Sequence, residues 1–199
     1  MRTHYFSSKP KVASKPKVIR VSLRGRVFTF ITDSGVFSFG KLDRGTKLLI
    51  EVMEVEREDV VLDLGCGYGA IGIVAATLAS KGLVYMVDIN RRAVALAKKN
   101  AEINRVSNVV VLRGDCYEPV KNISFNVILT NPPVKAGMKV VRKMIEEAPN
   151  HLVSGGKLML VIKTKYGWER IARIMGDSFG NTSIVEREAG YRVLKSVKN

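Results

Sequence analysis

Short apolar runs alternate with amphipathic stretches through most of this chain. From residue 60 onward the apolar runs predict strands Val60–Leu64, Leu83–Ile89, Val109–Arg113, Phe125–Thr130, Lys157–Ile162, Thr182–Arg187 and Arg192–Val197. Apolar positions at helical spacing predict helices Ala70–Ser80, Arg91–Asn104, Met138–His151 and Tyr166–Ser178. Strands that alternate with amphipathic helices indicate a parallel sheet covered on both faces.

The last two predicted strands break this alternation. Only Glu188-Ala189-Gly190 separates them, which is too short for a helical crossover and therefore predicts an antiparallel hairpin. We therefore expect an α/β fold with a doubly wound, seven-stranded, mostly parallel sheet that ends in a C-terminal antiparallel hairpin.

Residues 18–40 are predicted to form a small N-terminal antiparallel β addition. Apolar and polar positions alternate over residues 18–24, which indicates a strand with a basic, polar outer face. Gly25 predicts a turn, and residues 27–31 a returning strand. After a second turn, residues 36–39 complete the addition.

The remaining chain divides into a basic flexible arm, residues 1–17, and a main domain, residues 41–199. Each copy of a short Ser-Lys-Pro-Lys-Val repeat at the start of the chain contains a proline, which favours extended backbone. The main domain is expected to open with helix Lys47–Val55, for which Asp43 is a plausible N-cap.

The charge of the chain is high and unevenly distributed. Lysine and arginine number 33 against 18 acidic residues, which gives a net charge of +15. Residues 1–32 contain eight basic residues and no acidic residue. A basic arm on a basic body favours a polyanionic partner such as nucleic acid over a merely solubilising surface.

Several classes of protein are disfavoured by composition. The two cysteines, Cys66 and Cys116, form no Cys-x-x-Cys pair and there is no histidine cluster, so no metal site is expected. No apolar run approaches the ~18 residues that a membrane helix needs, and no secretory signal is evident. We therefore expect a cytoplasmic protein without a membrane partner.

A glycine-rich turn follows the first predicted parallel strand. Gly67, Gly69 and Gly72 match the spacing of a dinucleotide-binding turn, and Asp88 follows at the end of the next strand. A nicotinamide dehydrogenase would fit this pattern. However, Asp63 lies at the mouth of the turn, where it would oppose a pyrophosphate and would suit a cofactor that carries a cation.

A second motif, Asn131-Pro132-Pro133, follows strand Phe125–Thr130. Ligands of open α/β sheets bind at the carboxyl ends of the strands, which is where this motif lies. The Asn131 side-chain oxygen and the Pro132 backbone oxygen could accept the two N–H bonds of an amino group and aim its lone pair. The pattern therefore indicates transfer to a planar nitrogen, helped mainly by positioning.

The stretch Asp63–Gly69 resembles the first motif of class I S-adenosylmethionine-dependent methyltransferases. The resemblance implies S-adenosylmethionine as cofactor, Asp63 near its methionine end, Asp88 on its ribose, and Asp115 and Cys116 beside its adenine. Gly65, Cys66, Gly67 and Gly69 would line the cofactor. The main domain would then be a methyltransferase catalytic domain.

Asn131-Pro132-Pro133 is similar to the signature of methyltransferases that act on amino groups. Together with residues 37–46, the match is nearest to RsmC-like enzymes, which methylate guanine-N2 of small-subunit rRNA. The resemblance implies RNA as partner, rRNA ahead of tRNA, with Asn131, Pro132 and Pro133 as catalytic residues. It also implies that Asn131 and Thr46 lie beside the cofactor.

Two departures from that family concern substrate recognition. Val134 replaces the usual aromatic residue after the prolines, so Tyr5, Phe37 or Phe39 would have to stack on the target base, or stacking is not used. We also expect no counterpart of the large N-terminal domain that the bacterial enzymes carry. Basic residues that could flank the site, or lie on a solvated helix face, are Lys135, Lys139, Arg142, Lys143, Lys163 and Lys165.

Three other functions stay open from the sequence. The first is protein glutamine-N5 methylation, although enzymes of that kind normally carry a helical recognition domain. The second is the nicotinamide-dependent dehydrogenase, which leaves the Asn131 motif without a role. The third is a non-catalytic RNA-binding protein, against which the intact Asp63, Asp88 and Asn131 argue.

Overall fold

The computed structural model describes residues 12–199. The strands are β1 Lys17–Leu23, β2 Arg26–Thr32, β3 Val60–Leu64, β4 Leu83–Asp88, β5 Val109–Arg113, β6 Phe125–Thr130, β7 Leu152–Lys163, β8 Ser183–Glu188 and β9 Tyr191–Val197. The helices are α1 Arg44–Val52, α2 Ala70–Leu78, α3 Arg91–Ile103, α4 Met138–Glu146 and α5 Trp168–Phe179. These elements confirm the predicted alternation of strands and helices.

Strands β3 to β9 form one seven-stranded sheet in the order β5-β4-β3-β6-β7-β9-β8. Strands β3 to β7 pair in parallel, and only β9 runs against its neighbours β7 and β8. The chain passes from β3 outward to β4 and later returns to β6 on the other side of β3. The carboxyl ends of β3 and β6 therefore border a topological switch point, where open α/β sheets bind ligands.

The helices cover both faces of this sheet, as the predicted doubly wound arrangement requires. Side chains of α1, α2 and α3 pack in one apolar cluster with alternate residues of the strands, such as Val127 and Leu129 of β6. Side chains of α4 and α5 pack in the other, with Ile128 of the same strand. Alternation along β6 thus follows the two-residue period of a strand that is buried on both faces.

The hairpin of β1 and β2 is the predicted N-terminal addition, and it is fastened to the helices of the main domain. Phe28 and Phe30 belong to the apolar cluster of α1 to α3. The Arg24 guanidinium donates to the carbonyl oxygens of Ile50 and Met53 at 2.7 Å each. Because the last carbonyls of a helix lack partners within it, Arg24 completes the end of α1.

The C-terminal hairpin of β8 and β9 turns as the short link predicts. Ala189 and Gly190 have φ of 46° and 78°. A two-residue turn with positive φ at both positions matches the twist of antiparallel strands. The hairpin places Tyr191, the first residue of β9, beside the end of β7.

Several predicted boundaries were wrong. Residues 36–39, which were predicted to complete the antiparallel addition, form a turn. Helix α1 begins and ends three residues earlier than predicted, because Asp43 caps it by accepting from the Thr46 backbone N–H at 3.0 Å. Helix α4 ends at Glu146, before Pro149, which lacks the N–H that a continuing helix needs.

Strand β7 begins five residues earlier than predicted and pairs with β6 across an irregularity between Phe125 and Val127. Helix α5 begins two residues later, after Gly167, whose φ of 74° is left-handed. Within residues 12–199 no helix has the length and apolar content needed to cross a bilayer. The division of the chain at residues 17 and 40 stays a prediction, and most of the proposed arm lies outside the described residues.

Candidate active site

The glycine turn after β3 is a tight loop that carries the chain into α2. Gly65, Gly67 and Gly69 have φ of 77°, 57° and 92°, a left-handed conformation that costs glycine little. The backbone N–H groups of Gly65 and Cys66 donate to the Val87 carbonyl oxygen at 2.9 and 3.0 Å. The loop is therefore fixed against the end of β4 and presents bare backbone to the switch point.

A pocket opens between this loop and the carboxyl ends of β3 to β6. The predicted site residues on its wall are Gly65, Gly67, Asp88, Asp115, Cys116, Asn131, Pro132 and Pro133. The remaining wall is mainly apolar: Val36, Phe37, Leu64, Val87, Ile89, Ala93, Gly114, Val140 and Met144. Of these residues only Phe37 was a candidate from the sequence, although Ile89 and Gly114 directly follow strands and could have been found from that position.

Four predicted cofactor residues lie behind this wall rather than on it. Cys66 and Asp63 are buried beneath the loop, and Thr46 is buried at the start of α1. A Cβ on Gly69 would lie 3.2 Å from Ala97 of α3, so this glycine permits close approach of loop and helix. Their contact with a cofactor stays a prediction.

Asp88 is the last residue of β4, and its carboxylate binds backbone N–H groups on both sides of it. Its Oδ2 accepts from the Gly67 N–H and its Oδ1 from the Asn90 N–H, at 2.8 Å each. Burial raises the pKa of Asp88, and these two hydrogen bonds oppose that rise. Each oxygen keeps a lone pair that could accept a ribose hydroxyl, which fits the role implied by the family resemblance.

Asp63 is fully buried between β3 and α2. Its Oδ2 accepts from the Gly72 N–H at 2.8 Å, while its Oδ1 has no hydrogen-bond partner within the described chain. Burial raises the pKa of Asp63 to about 7, and the nearby Asp88 carboxylate adds to the rise. An unpartnered buried carboxyl oxygen at this place fits a cofactor that carries positive charge.

We expect the burial of Asp63 to make stability pH-dependent. Its pKa is about 7 in the folded protein, against an ordinary value of 3.8. The unfolded chain therefore loses this proton at lower pH, and stability falls as pH rises from about 4 to about 7, by up to ~4 kcal/mol. Thermal melts of the wild type and Asp63→Asn, without cofactor, should diverge over this range, with the variant gaining relative stability. A constant difference between them would contradict the assignment.

Asp115 and Cys116 follow β5 and line the far end of the pocket. The Asp115 carboxylate accepts from Lys143 Nζ at 3.1 Å, and this hydrogen bond lowers the pKa of Asp115. Burial raises the pKa of Cys116 to about 12, so its thiol stays protonated. Asp115 is half exposed and keeps further lone pairs, so the predicted acceptance from an adenine amino group is chemically open to it.

Asn131 lies where this pocket meets a second one. Its Nδ2 donates to Thr46 Oγ1 at 2.9 Å and to Asp43 Oδ2 at 3.1 Å. Asn131 contributes to the walls of both pockets. Because the amide nitrogen already donates to Thr46 and Asp43, Oδ1 is the polar atom that remains to accept a hydrogen bond from a ligand.

The two prolines after Asn131 shape the junction, but their carbonyl groups are not free as expected. The Pro132 oxygen accepts from the Val134 N–H at 2.9 Å, and the Pro133 oxygen accepts from the Ala136 N–H at 2.7 Å. Those hydrogen bonds close a tight turn before α4. One lone pair of the Pro132 oxygen remains for the predicted second contact with an amino group.

The second pocket extends from Asn131 toward the end of β7 and the C-terminal hairpin. It is bordered by Phe37, Val134, Lys163, Tyr166 and Tyr191, with further residues of the same elements. Sequence analysis missed Tyr166 and Tyr191, since nothing in the sequence brings them near Asn131.

Of the predicted stacking candidates, Phe37 borders both pockets. Phe39 borders neither of them, and its ring lies 5.0 Å from Lys17 Nζ. Tyr5 lies outside the described residues. Phe37 is therefore the one candidate of the three that the described pockets support.

The predicted flanking basic residues take different positions. Lys135 and Lys163 border the second pocket, and Lys143 pairs with Asp115 at the first. Arg142 instead pairs with Glu146 one helical turn away, as expected of a solvated helix face. Among residues 12–199, no three His, Cys, Asp or Glu side chains are grouped as metal ligands would be.

The chain matches the family model "Methyltransferase small domain" over residues 27–195. It is 40% identical to the uncharacterised protein YbxB of Bacillus subtilis over the full length of both chains. It is 31% identical to Ribosomal RNA small subunit methyltransferase C of Chromohalobacter salexigens, covering 98% of this chain and 59% of that protein. A Haemophilus influenzae protein of the same name is 32% identical, over 83% of this chain and 49% of its own.

Solved structures give the same result. The Thermus thermophilus 16S rRNA N2 methyltransferase RsmC, in complex with AdoMet and guanosine, superposes with a TM-score of 0.84 at 28% identity, covering 96% of this chain and 52% of that chain. A methyltransferase from Pyrococcus furiosus superposes with a TM-score of 0.63 at 25% identity, covering 73% of this chain and 77% of its own. The chain thus spans about half the length of the RsmC relatives that it matches.

These matches decide two of the alternatives left open by the sequence. The glycine turn belongs to a methyltransferase and not to a nicotinamide dehydrogenase, and the chain is an enzyme rather than a non-catalytic RNA-binding protein. Its cofactor is S-adenosylmethionine, as the resemblance of Asp63–Gly69 implied. The chain belongs to the methyltransferase small domain family, within which it is a class I S-adenosylmethionine-dependent methyltransferase similar to RsmC.

Proposed function

We propose that this enzyme methylates the exocyclic N2 of a guanine in RNA, with rRNA ahead of tRNA as substrate. The observation that carries this proposal is the position of Asn131 between the two pockets, with its amide nitrogen already bound to Thr46 and Asp43. The names of the matched relatives and the guanosine in the RsmC complex support guanine in rRNA as the target.

The chemistry proposed for Asn131 follows from the weakness of the nucleophile. The lone pair of a guanine amino group is delocalised into the ring, so the nitrogen must be held and oriented before it reacts. Asn131 Oδ1 and the remaining lone pair of the Pro132 oxygen would each accept one N–H of that group. When bound, S-adenosylmethionine would supply a methyl group on a sulfonium, which is a good leaving group. The amino nitrogen would bond to the methyl carbon as the carbon–sulfur bond breaks, and it would lose one proton to solvent after the attack, so positioning by these two acceptors takes the place of a strong base.

The residues that would hold the cofactor are those of the first pocket. Asp88 would accept from the ribose hydroxyls and Asp115 from the adenine amino group, while Gly65 and Gly67 provide backbone without a Cβ in the way. The unpartnered Oδ1 of Asp63 would favour the positively charged end.

A rim of cations and rings beside the second pocket supports RNA as the partner. Three cation–ring pairs form this basic–aromatic rim: Lys163 with Tyr191, Lys165 with Tyr166, and Arg192 with Trp168, at 5.3, 5.7 and 4.4 Å. Lysine and arginine bind phosphates, and exposed rings stack on unpaired bases. The net charge of +15 agrees with this partner.

The basic arm is proposed to add to the same RNA contact. Its last residues join the body near the first pocket, because Lys15 N–H donates to Asp33 Oδ1 at 2.7 Å and Arg92 Nη2 donates to the Val12 oxygen at 2.9 Å. The turn that follows Asp33 leads directly to Val36 on the pocket wall. Such a partner also agrees with the proposed cytoplasmic location.

Besides Phe37, Tyr166 is a further candidate for the ring that stacks on the target guanine in place of Val134. It borders the second pocket, and 36% of its surface is exposed. Stacking on a base contributes roughly 1–3 kcal/mol. Tyr166→Ala should therefore raise KM for RNA by about 5- to 100-fold, whereas Tyr166→Phe should behave as the wild type. Steady-state kinetics on an rRNA fragment will measure this, and equal KM values for the two variants would exclude stacking by this residue.

The proposed function is tested by the destination of a labelled methyl group. Purified enzyme and radiolabelled S-adenosylmethionine should be incubated with total RNA and, separately, with total protein from cells that lack the gene. We expect label in RNA, recovered after digestion as N2-methylguanosine. Label in protein as N5-methylglutamine would support the alternative function, and label in another RNA nucleoside would overturn the choice of base.

A further inference from the structure

We propose that Asp43 is a positioning residue that holds the Asn131 amide in one orientation, and that its carboxylate requires asparagine rather than aspartate at position 131. This inference rests on the proposed function, because it concerns the group that would grip the target amino nitrogen. It comes from a hydrogen bond between residues 88 positions apart, which brings the start of α1 to the end of β6.

The contact between the two side chains determines which end of the Asn131 amide faces Asp43. Asp43 Oδ2 accepts from Asn131 Nδ2 at 3.1 Å and also from the Thr46 N–H at 3.0 Å. An ionised carboxylate accepts hydrogen bonds and donates none, so only the nitrogen of the amide can face it. The Thr46 hydroxyl at 2.9 Å could donate or accept, and by itself would fix neither orientation.

Asp43 is in turn held by the C-terminal hairpin. The Tyr191 hydroxyl donates to Asp43 Oδ1 at 3.4 Å, and burial together with the Asp43 charge raises the pKa of Tyr191. The Tyr191 ring lies so near Gly45 that a Cβ there would be 2.7 Å from two ring carbons. The first residue of β9 therefore supports the catalytic amide through the N-cap of α1.

Replacing Asn131 with aspartate would place two carboxylates about as far apart as the present hydrogen bond. Ionising both of two carboxylates at hydrogen-bond distance costs additional free energy, because the like charges repel. The pair therefore retains a proton to higher pH than a single group does. The other titratable groups that face Asp43 are Tyr68 and Tyr191. Around Tyr191 lie Arg44, Lys163 and Tyr166.

The experiment compares Asn131→Asp with the exchanged double variant Asp43→Asn/Asn131→Asp. At pH 8, Asn131→Asp should lose roughly 100-fold in kcat, and this loss should shrink as pH falls toward 6, where the pair shares a proton. The double variant has one carboxylate at this contact instead of two. Its kcat at pH 8 should therefore be at least about tenfold higher than that of Asn131→Asp, and this kcat should depend little on pH. A pH-independent loss in Asn131→Asp, or no recovery in the double variant, would overturn the proposal.

Asp43→Ser separates positioning from helix capping. Serine caps helices as well as aspartate does, so α1 keeps its start, but the carboxylate is lost. We expect kcat to fall by about tenfold while Kd for S-adenosylmethionine stays within about twofold. Unchanged kcat would show that the carboxylate does not position Asn131.

Thermal melts of the same proteins give a readout that needs no substrate. The new carboxyl pair has its pKa raised in the folded state, so the Tm of Asn131→Asp relative to the wild type should fall as pH rises from 5 to 8, and that of the double variant should not. If the wild type methylates no RNA, the proposed function fails while these melts still decide the role of Asp43. A flat Tm difference for Asn131→Asp would overturn the role of Asp43 alone.

Discussion

Replacing Asn131 with alanine is expected to reduce kcat roughly 10²- to 10³-fold, in line with the loss of one aligned hydrogen-bonding group in other active sites. The reason is that Oδ1 is the polar atom of this side chain left for a ligand, while Nδ2 is committed to Thr46 and Asp43. Kd for S-adenosylmethionine should change less than about threefold, because the cofactor contacts are proposed to lie elsewhere in the pocket. Single-turnover kinetics and calorimetric titration measure the two quantities separately.

Asn126→Ala is the matched control for this variant. Asn126 lies near the start of β6, at the opposite end of the strand, where its Oδ1 accepts from the Val60 N–H at 2.8 Å. Its loss should lower Tm without reducing kcat. If the two variants reduced kcat equally, the effect at Asn131 would reflect lost stability of the strand and not a role in the reaction.

Replacing Asp88 with alanine should have the opposite effect: a large rise in Kd for S-adenosylmethionine and little change in kcat. The variant loses the proposed acceptors of the ribose hydroxyls, and it also loses the hydrogen bonds that hold the Gly67 and Asn90 N–H groups at 2.8 Å. Hydrogen bonds to a charged group contribute about 1.5–3 kcal/mol each, so Kd for S-adenosylmethionine should rise by about 100-fold or more. At saturating cofactor, kcat should stay within about threefold of the wild type.

Asp59→Ala provides the control for that experiment. Asp59 also accepts from a backbone N–H, that of Glu56 at 2.7 Å, but it lies just before β3, at the end of the strand away from the pocket. The Asp59→Ala variant should leave Kd for S-adenosylmethionine unchanged. If Asn131→Ala and Asp88→Ala altered kcat and Kd to the same extent, the division of the site into a reacting part and a cofactor part would be wrong.

Asp88 and Asn131 also show which parts of the site could be predicted from the sequence. Asp88 ends one strongly apolar strand and Asn131 directly follows another, and both strands formed close to their predicted bounds. Since parallel strands align their carboxyl ends at one edge of the sheet, residues after them were expected to meet, and both do border one pocket. The expectation needed only local pattern and the general geometry of such sheets.

Residues 36–39 show where the same reasoning failed. They were predicted to complete the antiparallel addition, but in the fold these residues turn over the pocket, with Val36 and Phe37 on its wall. A segment of four residues is too short for its pattern to distinguish a strand from a turn that buries the same side chains. The boundary error in α4 had a local cause instead, because Pro149 was visible in the sequence and was not used.

The sequence by itself determined the order of strands and helices, the glycine turn, and the residues placed at the ends of β3 to β6, because these depend on periodicity and on the conformational limits of glycine and proline. Only the tertiary structure decided that Asp43 and Thr46 hold the Asn131 amide and that Tyr166 and Tyr191 border the second pocket. Those contacts join elements far apart in the chain, and their distances follow from the order of the strands in the sheet and from the packing of α1 against β7 and β9.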